Sequence, residues 1–341
     1  MQRTEISTIG EFGLIRHLTN KITLRHPSSR KGVGDDAAVL YYADKQALVT
    51  TDLLLEGVHF DLTYMPLKHL GYKSAIVNFS DIYAMNGQPR QITVSLGISK
   101  RFCIEDLEEF YAGLNLACDV YSVDIVGGDT SSSLTGLTIS ITCIGEGEPD
   151  KITYRSGAHE NDLICVSGDL GAAYMGFQLL EREKAVFAGE KDFQPDFSGH
   201  EYILERQLKP EARKDIVEML RQAGIVPTAM IDISDGLSSE LLHIAKESNV
   251  GCRVFEDRIP VDYQTATMAE EFNMNLITAA MNGGEDYELL FTVPLTQHDA
   301  IAAMKGVTMI GHITKPDYGN VLVGRDGGEI DLKAQGWNSL S

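Results

Sequence analysis

Aspartates beside glycines recur along this chain. They stand in Gly34-Asp35-Asp36-Ala37, in Thr50-Thr51-Asp52, in Gly127-Gly128-Asp129-Thr130, in Asp232-Ile233-Ser234-Asp235-Gly236 and in Gly283-Gly284-Glu285-Asp286. Asp52, Asp129 and Asp235 each follow a short apolar run and sit among Gly, Ser or Thr, and small neighbours let a ligand come close to the backbone. If these loops converge, their charges must be compensated: two carboxylates ~4 Å apart repel by about 4 kcal/mol at an effective dielectric of 20. Oxygen donors alone select a hard cation, magnesium or manganese rather than zinc. Magnesium usually completes its shell with substrate phosphates, so a nucleotide is the expected occupant and phosphoryl transfer the expected chemistry. The bland alternative is a set of separate solvated turns, because Asp-Gly is ordinary turn chemistry. Residue types alone leave both readings open.

The elements that must position these residues follow from periodicity. Apolar spacing predicts a short amphipathic helix over 11–19, then strands over 37–41 and 46–51, with Asp52 presented at the end of the second. A helix over 67–86 carries Ser74, Asn78 and Asp81 on one narrow face, and Asn86-Gly87 and Pro89 stop it. A strand over 91–98, a helix over 105–121, a strand over 124–126 running into Gly127-Gly128-Asp129, and a strand over 137–143 complete about four strands and two long helices, an α+β arrangement. Gly145 to Asp150 marks a boundary, giving domains 1–148 and 149–341. The second half alternates as an α/β domain. Strands are expected over 162–166, 230–233, 252–255, 287–293, 307–313 and 320–324. Helices are expected over 170–181, 210–224, from 236 to 248, within 263–281 and near 296–304, and residues 184–200 read as an exposed loop.

Composition narrows the partners. Of 341 residues, 49 are acidic and 29 are Lys or Arg, a formal charge of −20 that argues against nucleic acid and anionic membrane. Five cysteines without a CxxC pair, each in an apolar run, read as buried free thiols. The opening residues are polar and no apolar run nears the ~18 residues of a membrane span, so a cytoplasmic protein is expected. Gly32-Val33-Gly34-Asp35-Asp36-Ala37 fits G-x-G-x-x-A, but polar residues and Pro27 precede it where a dinucleotide fold needs a buried strand. No P-loop motif and no His/Cys zinc cluster occur.

A few other groups stand near the acidic motifs. Arg155 could reach a phosphate or lie on the surface. Lys73 reads as a solvated helix lysine, and lone His59 as structural or as a ligand. Trp337, the only tryptophan, could pack the tail or wall a pocket for a flat ring.

Taken together, the motifs resemble the thiamine-monophosphate kinases, in the superfamily that also holds aminoimidazole ribonucleotide synthetase and selenophosphate synthetase. The matching segments run in order from Gly10-Glu11-Phe12 and Gly32 to Ala37, through Thr50-Thr51-Asp52, Gly57-Val58-His59-Phe60, Asn78-Phe79-Ser80-Asp81, Gly127 to Thr130 and Arg155-Ser156-Gly157, to Asp232 to Gly236, Gly283 to Glu288 and Gly336-Trp337. The resemblance implies ATP-dependent, magnesium-dependent phosphorylation of thiamine monophosphate to thiamine diphosphate by direct transfer. It implies that Asp36, Thr50, Thr51, Asp52, Asp81, Asp129, Asp232 and Asp235 hold several magnesium ions, with Asp36 favoured over Asp35. It implies ATP contacts from Tyr111, Gly128, Asp129, Arg155 and Ser234, and substrate contacts from His59, Glu285 and Trp337. It also implies the aminoimidazole ribonucleotide synthetase-like fold and a homodimer whose N-terminal domains pair into a β-barrel. A ligase or cyclase of the same superfamily, and a non-catalytic metal- or nucleotide-binding module, are the competing readings.

Overall fold

A computed structural model describes residues 29–31, 34–187 and 197–335. The helix expected over 11–19, Trp337 and most of the expected 184–200 loop lie outside these residues. In the first half, β1 (Ser29–Lys31), β2 (Ala38–Tyr42) and β3 (Lys45–Leu55) lead to helix α1 (Leu67–Ala84). Then come β4 (Gln88–Ile98), helix α2 (Ile104–Tyr121), β5 (Asp124–Ser132) and β6 (Leu137–Gly147). The six strands form one open sheet in the order β1-β2-β3-β6-β4-β5. Among the described strands of this sheet only the β4–β5 pair is parallel.

Two strands run further than their hydrophobic pattern suggests. β3 continues through Asp52 to Leu55, so Asp52 sits within the ladder opposite Ile141 rather than at a strand end. β5 continues through Asp129 to Ser132, paired along β4. The reason is the partner strands. β6 and β4 alternate cleanly and impose their register on neighbours that do not alternate themselves, Asp52-Leu53-Leu54-Leu55 in β3 and Gly127-Gly128-Asp129-Thr130-Ser131-Ser132 in β5.

The second half contains β7 (Leu163–Ser167), α3 (Ala172–Phe187), α4 (Glu201–Leu208), α5 (Lys214–Gln222), β8 (Ala229–Asp232), α6 (Leu237–Ser248) and β9 (Gly251–Phe255). It continues with α7 (Tyr263–Glu271), α8 (Leu276–Asn282), β10 (Leu289–Val293), α9 (His298–Ala302), β11 (Val307–Thr314), β12 (Asn320–Val323) and β13 (Glu329–Asp331). Its sheet order is β13-β12-β9-β11-β7-β10-β8, antiparallel except for β9–β12. Helix α3 runs past the expected end at 181 into the stretch expected to be loop.

Helix α1 explains how the two sheets meet. It touches β3, β4 and β6 of the first sheet and β8 of the second. Its buried residues, including Leu70, Tyr72, Ile76, Phe79 and Ile82, lie on all sides. A helix buried all round needs no polar face. Its core continues through Phe110 and Leu114 of α2 to Ile216 and Leu220 of α5 and Leu289 and Phe291 at β10.

Helices α1 and α2 meet at two glycines. A Cβ on Gly71 would lie 1.9 Å from the Phe110 carbonyl oxygen, and one on Gly113 1.7 Å from that of Lys68. Gly113→Ala is therefore expected to destabilise the fold by about 1–3 kcal/mol through overpacking. This should outweigh the ~1 kcal/mol by which alanine favours a helix. Urea unfolding checks it: a lowered midpoint at unchanged slope is expected, and a raised midpoint would contradict the close contact.

Candidate functional site

The site forms where β3, α1 and β8 come together. Period-2 alternation turns Thr50 and Asp52 to the side of β3 that packs on α1, along with the buried Leu48. Two consecutive residues of α1 meet the strands. The Thr50 hydroxyl donates to Asp81 Oδ2 at 2.5 Å, and the Ser80 hydroxyl donates to Asp232 Oδ2 at 2.6 Å. Asp232 ends the fully buried strand β8. Asp36 arrives from the loop before β2, fixed in position by the buried Ala37 beside it and the buried Val39 of β2. One carboxylate oxygen from each of Asp36, Asp81 and Asp232 lies within 4.8 Å of the others.

Among the described residues, Arg155 brings a cation to this group. Its Nε donates to Asp36 Oδ2 at 3.0 Å and its Nη2 to Oδ1 at 2.7 Å, a bidentate grip. The neighbouring carboxylate does a different job. Asp35 accepts the Arg155 backbone N–H at 2.7 Å, and Lys31 Nζ lies 2.9 Å from it. The two adjacent aspartates thus part ways, Asp36 into the cluster and Asp35 into an anchor.

The electrostatics are strained. Burial pushes Asp52 up to about 6. Burial, and then the charge of Asp36, push Asp232 up to about 8. Asp81 is held well above the usual carboxylate range by burial and by Asp52, Asp232 and Asp36. Asp52 Oδ2 is buried with no hydrogen-bond partner among the described residues. An orphaned buried oxygen beside crowded carboxylates, all donors being oxygen, fits a hard divalent cation. Asp36, Asp52, Asp81 and Asp232, with the Thr50 hydroxyl, are the residues that fit it.

The second half supplies the opposite wall. The segment from Gly283 to Tyr287 folds along the turn after β8: the Glu285 N–H donates to Ser234 O at 2.7 Å and the Tyr287 N–H to Ile233 O at 2.9 Å. Glu285 and Tyr287 both adopt positive φ, 58° and 51°, a conformation uncommon for such residues. Tyr287 lies within reach of the charges of Glu285, Asp52, Asp232 and Asp235. The Asp235 N–H donates to Glu240 Oε1 at 2.9 Å. His59 closes the turn after β3, where Nδ1 accepts the Leu55 N–H at 3.0 Å and leaves the proton to Nε2.

Other expected residues are placed differently. Thr51 points to the outer face of the sheet, where its hydroxyl donates to Ile141 O and accepts from Thr142, both at 3.1 Å. Residues 50 and 52 share a face that residue 51 cannot. Asp129 is exposed on edge strand β5, in the row Leu53–Ser140–Ser95–Asp129. That row is also on the outer face, and Asp129 is three strand spacings, ~14 Å, from β3. Within one chain, then, Thr51 and Asp129 do not join the other acids. Gly128 pairs beside it with no room for a side chain, since a Cβ would sit 1.9 Å from Val94 O. Tyr111 lies on α2, edge-on to Phe110 at 5.8 Å.

The Glu285-Asp286-Tyr287-Glu288 motif divides its labour. Asp286 accepts the Gly171 N–H at 2.8 Å at the start of α3. Glu288 is buried and meets Arg206 at 2.9 Å, together with Arg213 and Ser167. Both are structural. Sequence reasoning missed four residues near the site. Ser80 and Glu240 had a signal: the first adjoins Asp81, and the second is an acid in the first turn of α6. Gln207 had none. Lys73, expected to be solvated, is buried at 4% exposure, with Nζ 2.9 Å from Gln207 O and 3.1 Å from Glu285 Oε2.

Comparison with known proteins gives this arrangement its class. Residues 34–146 match the family described as AIR synthase related protein, N-terminal domain. Over 332 residues the chain is 35% identical to the thiamine-monophosphate kinase of Aquifex aeolicus (strain VF5), covering 97% of this chain and 98% of that one. It is 34% identical over 338 residues to that of Bacillus subtilis (strain 168), covering 96% and 98%. Its backbone matches the solved structure of AaThiL complexed with AMPPCP and TMP at a TM-score of 0.84 and 32% identity, covering 99% of both chains. The chain belongs to the thiamine-monophosphate kinase family.

Proposed function

We propose that this protein is a phosphotransferase that moves the γ-phosphoryl group of ATP to thiamine monophosphate, giving thiamine diphosphate and ADP. The observation that carries the reading is the group of buried Asp36 and Asp232 and half-buried Asp81, with oxygens within 4.8 Å of one another, in a chain of this family. AMPPCP is an ATP analogue, and its presence with TMP on a relative that matches over 99% of both chains supports the two substrates.

A terminal phosphate oxygen of thiamine monophosphate attacks the γ-phosphorus, the bond to the β-phosphate oxygen breaks, and ADP leaves. That oxygen is already ionised near neutral pH, so no general base is assigned. Magnesium, held by Asp36, Asp52, Asp81 and Asp232 with Thr50, would neutralise the repulsion between the two phosphates. The chain's own part is to fix the geometry. Thr50 and Ser80 orient Asp81 and Asp232, and Arg155 holds Asp36 beside a further positive charge. Tyr111, Gly128, Asp129, Arg155 and Ser234 are proposed ATP contacts, His59, Glu285 and Trp337 substrate contacts, and Asp235 and Thr51 further metal contacts.

The reading includes a homodimer. Leu53, Val126 and Ile144 are exposed on the first sheet, which supports pairing of the 1–148 domains into a shared β-barrel while 149–341 completes each site. Thr51 and Asp129 lie on that outer face, so their metal role depends on the pairing. No described helix is long and apolar enough to cross a membrane, and a cytoplasmic enzyme is proposed.

The test is ADP release from ATP and magnesium with and without thiamine monophosphate, with chromatography for thiamine diphosphate. Equal amounts of ADP and thiamine diphosphate, abolished by EDTA, are expected. A folded, ATP-binding protein that forms none would overturn the reading. Turnover of a formylglycinamidine ribonucleotide in its place would favour the cyclase.

A further inference from the structure

Glu285 is fixed unusually firmly for a half-exposed acid. Its backbone is held at φ 58° by the bond to Ser234 O. Its Oε2 accepts from Gln207 Nε2 at 2.9 Å and faces Lys73 Nζ at 3.1 Å. Both contacts fall on the same oxygen, while 36% of the side chain stays exposed. The two donors differ in kind. Gln207 is neutral, whereas Lys73 brings a full charge from the interior of α1 and is secured there by Gln207 O at 2.9 Å.

A buried ammonium is costly unless paired, and an apolar residue of similar length would pack the same space. Structural need alone therefore does not explain a lysine here, since buried ion pairs are often replaceable without loss of stability. Its position gives another reason. Lys73 and Ser80 are seven residues apart on α1, two turns and about 10 Å along one face. Ser80 directs Asp232 in the acidic group, and Lys73 directs Glu285 beyond it. One rigid helix thus fixes Asp232, through Ser80, and Glu285, through Lys73, at two points about 10 Å apart along its axis, the length scale of a small phosphorylated ring compound.

We infer that Lys73 is a positioning residue for the phosphoryl acceptor: it locks the Glu285 carboxylate by one oxygen so that the other is presented to thiamine monophosphate. The inference rests on the proposed kinase reading and on Glu285 facing the acceptor. It assigns Lys73 no contact with ATP and no part in the transfer itself.

The experiment is steady-state kinetics of the full chain with magnesium, varying each substrate in turn, for wild type, Lys73→Met, Lys73→Arg, Glu285→Gln and the Lys73→Met/Glu285→Gln double variant. Lys73→Met is expected to raise KM for thiamine monophosphate about 10- to 100-fold, the effect of losing one charge-assisted hydrogen bond. KM for ATP and kcat should stay within about 3-fold, the signature of lost acceptor binding alone. Lys73→Arg should recover part of the loss, and the double variant should be no worse than Glu285→Gln. Equal losses for both substrates, or additive losses in the double variant, would overturn the inference. If Lys73→Met does not fold, Lys73→Gln keeps the length and a neutral donor while removing the charge, and is held to the same outcomes. A wild type that makes no thiamine diphosphate would instead overturn the kinase reading, a result separable from any effect of Lys73.

Discussion

Asp81→Asn is expected to lower kcat/KM for thiamine monophosphate about 1000-fold, the scale seen when one preorganised electrostatic group is removed. The same change is expected to make the metal-free protein more stable. Burial first, and then the charges of Asp52, Asp232 and Asp36, disfavour the charge on Asp81. An amide of the same shape removes that repulsion, and Thr50 can still donate to its oxygen. Activity and stability should therefore move in opposite directions. The check is paired: thiamine diphosphate formation with magnesium, and the thermal midpoint in EDTA. A variant that loses activity and also melts earlier would mean that Asp81 serves the fold rather than the cation.

In EDTA the wild type should lose stability as pH rises from about 4 to about 8. Asp232 is raised by burial from the ordinary 3.8 to about 8, and Asp52 to about 6. Across that window the folded acids keep protons that the unfolded chain has released. The unfolded state binds fewer protons, so stability falls with increasing pH and levels off above about 8. Asp232 alone contributes on the order of 6 kcal/mol as an upper bound, at ~1.4 kcal/mol per pH unit from 3.8 to about 8. A fall in the thermal midpoint of more than about 5 °C between pH 5 and 8 is expected. Saturating magnesium should cancel most of it, because a ligand that binds only the folded state stabilises it by mass action. A midpoint that is flat or rising in EDTA would contradict the buried acidic group.

Much of the site was legible because its chemistry is written in adjacent residues. Asp36, Asp52, Asp81 and Asp232 were named together by the motif resemblance, and the structure brings Asp36, Asp81 and Asp232 within 4.8 Å of one another, with the charge of Asp52 acting on Asp81. The fold's long alternating strands and its helix stops were equally plain. What stayed hidden depends on pairing across the chain. β3 and β5 extend because β6 and β4 hold them, which no property of residues 52–55 or 127–132 announces. The split between Thr50 and Thr51 needs the strand to continue through both. Lys73 was misread because α1 has almost no polar side: a lysine in a helix is usually solvated, and only the arrival of α4 with Gln207 buries it. Helix α4 itself was missed, a two-turn element whose position is set by packing.

The burial of α1 between the two sheets also sets an order of events. Ser80 and Asp232 are 152 residues apart in sequence. At a synthesis rate of ~5–20 residues per second, the helix waits roughly 8–30 s for the strand that will cover it. During that time Phe79 and Ile82 have only the first sheet and α2 to shelter them. The first half of the chain thus emerges from the ribosome with an apolar surface still open. In the cell, successful folding depends on keeping that surface from other chains until β8 has been made.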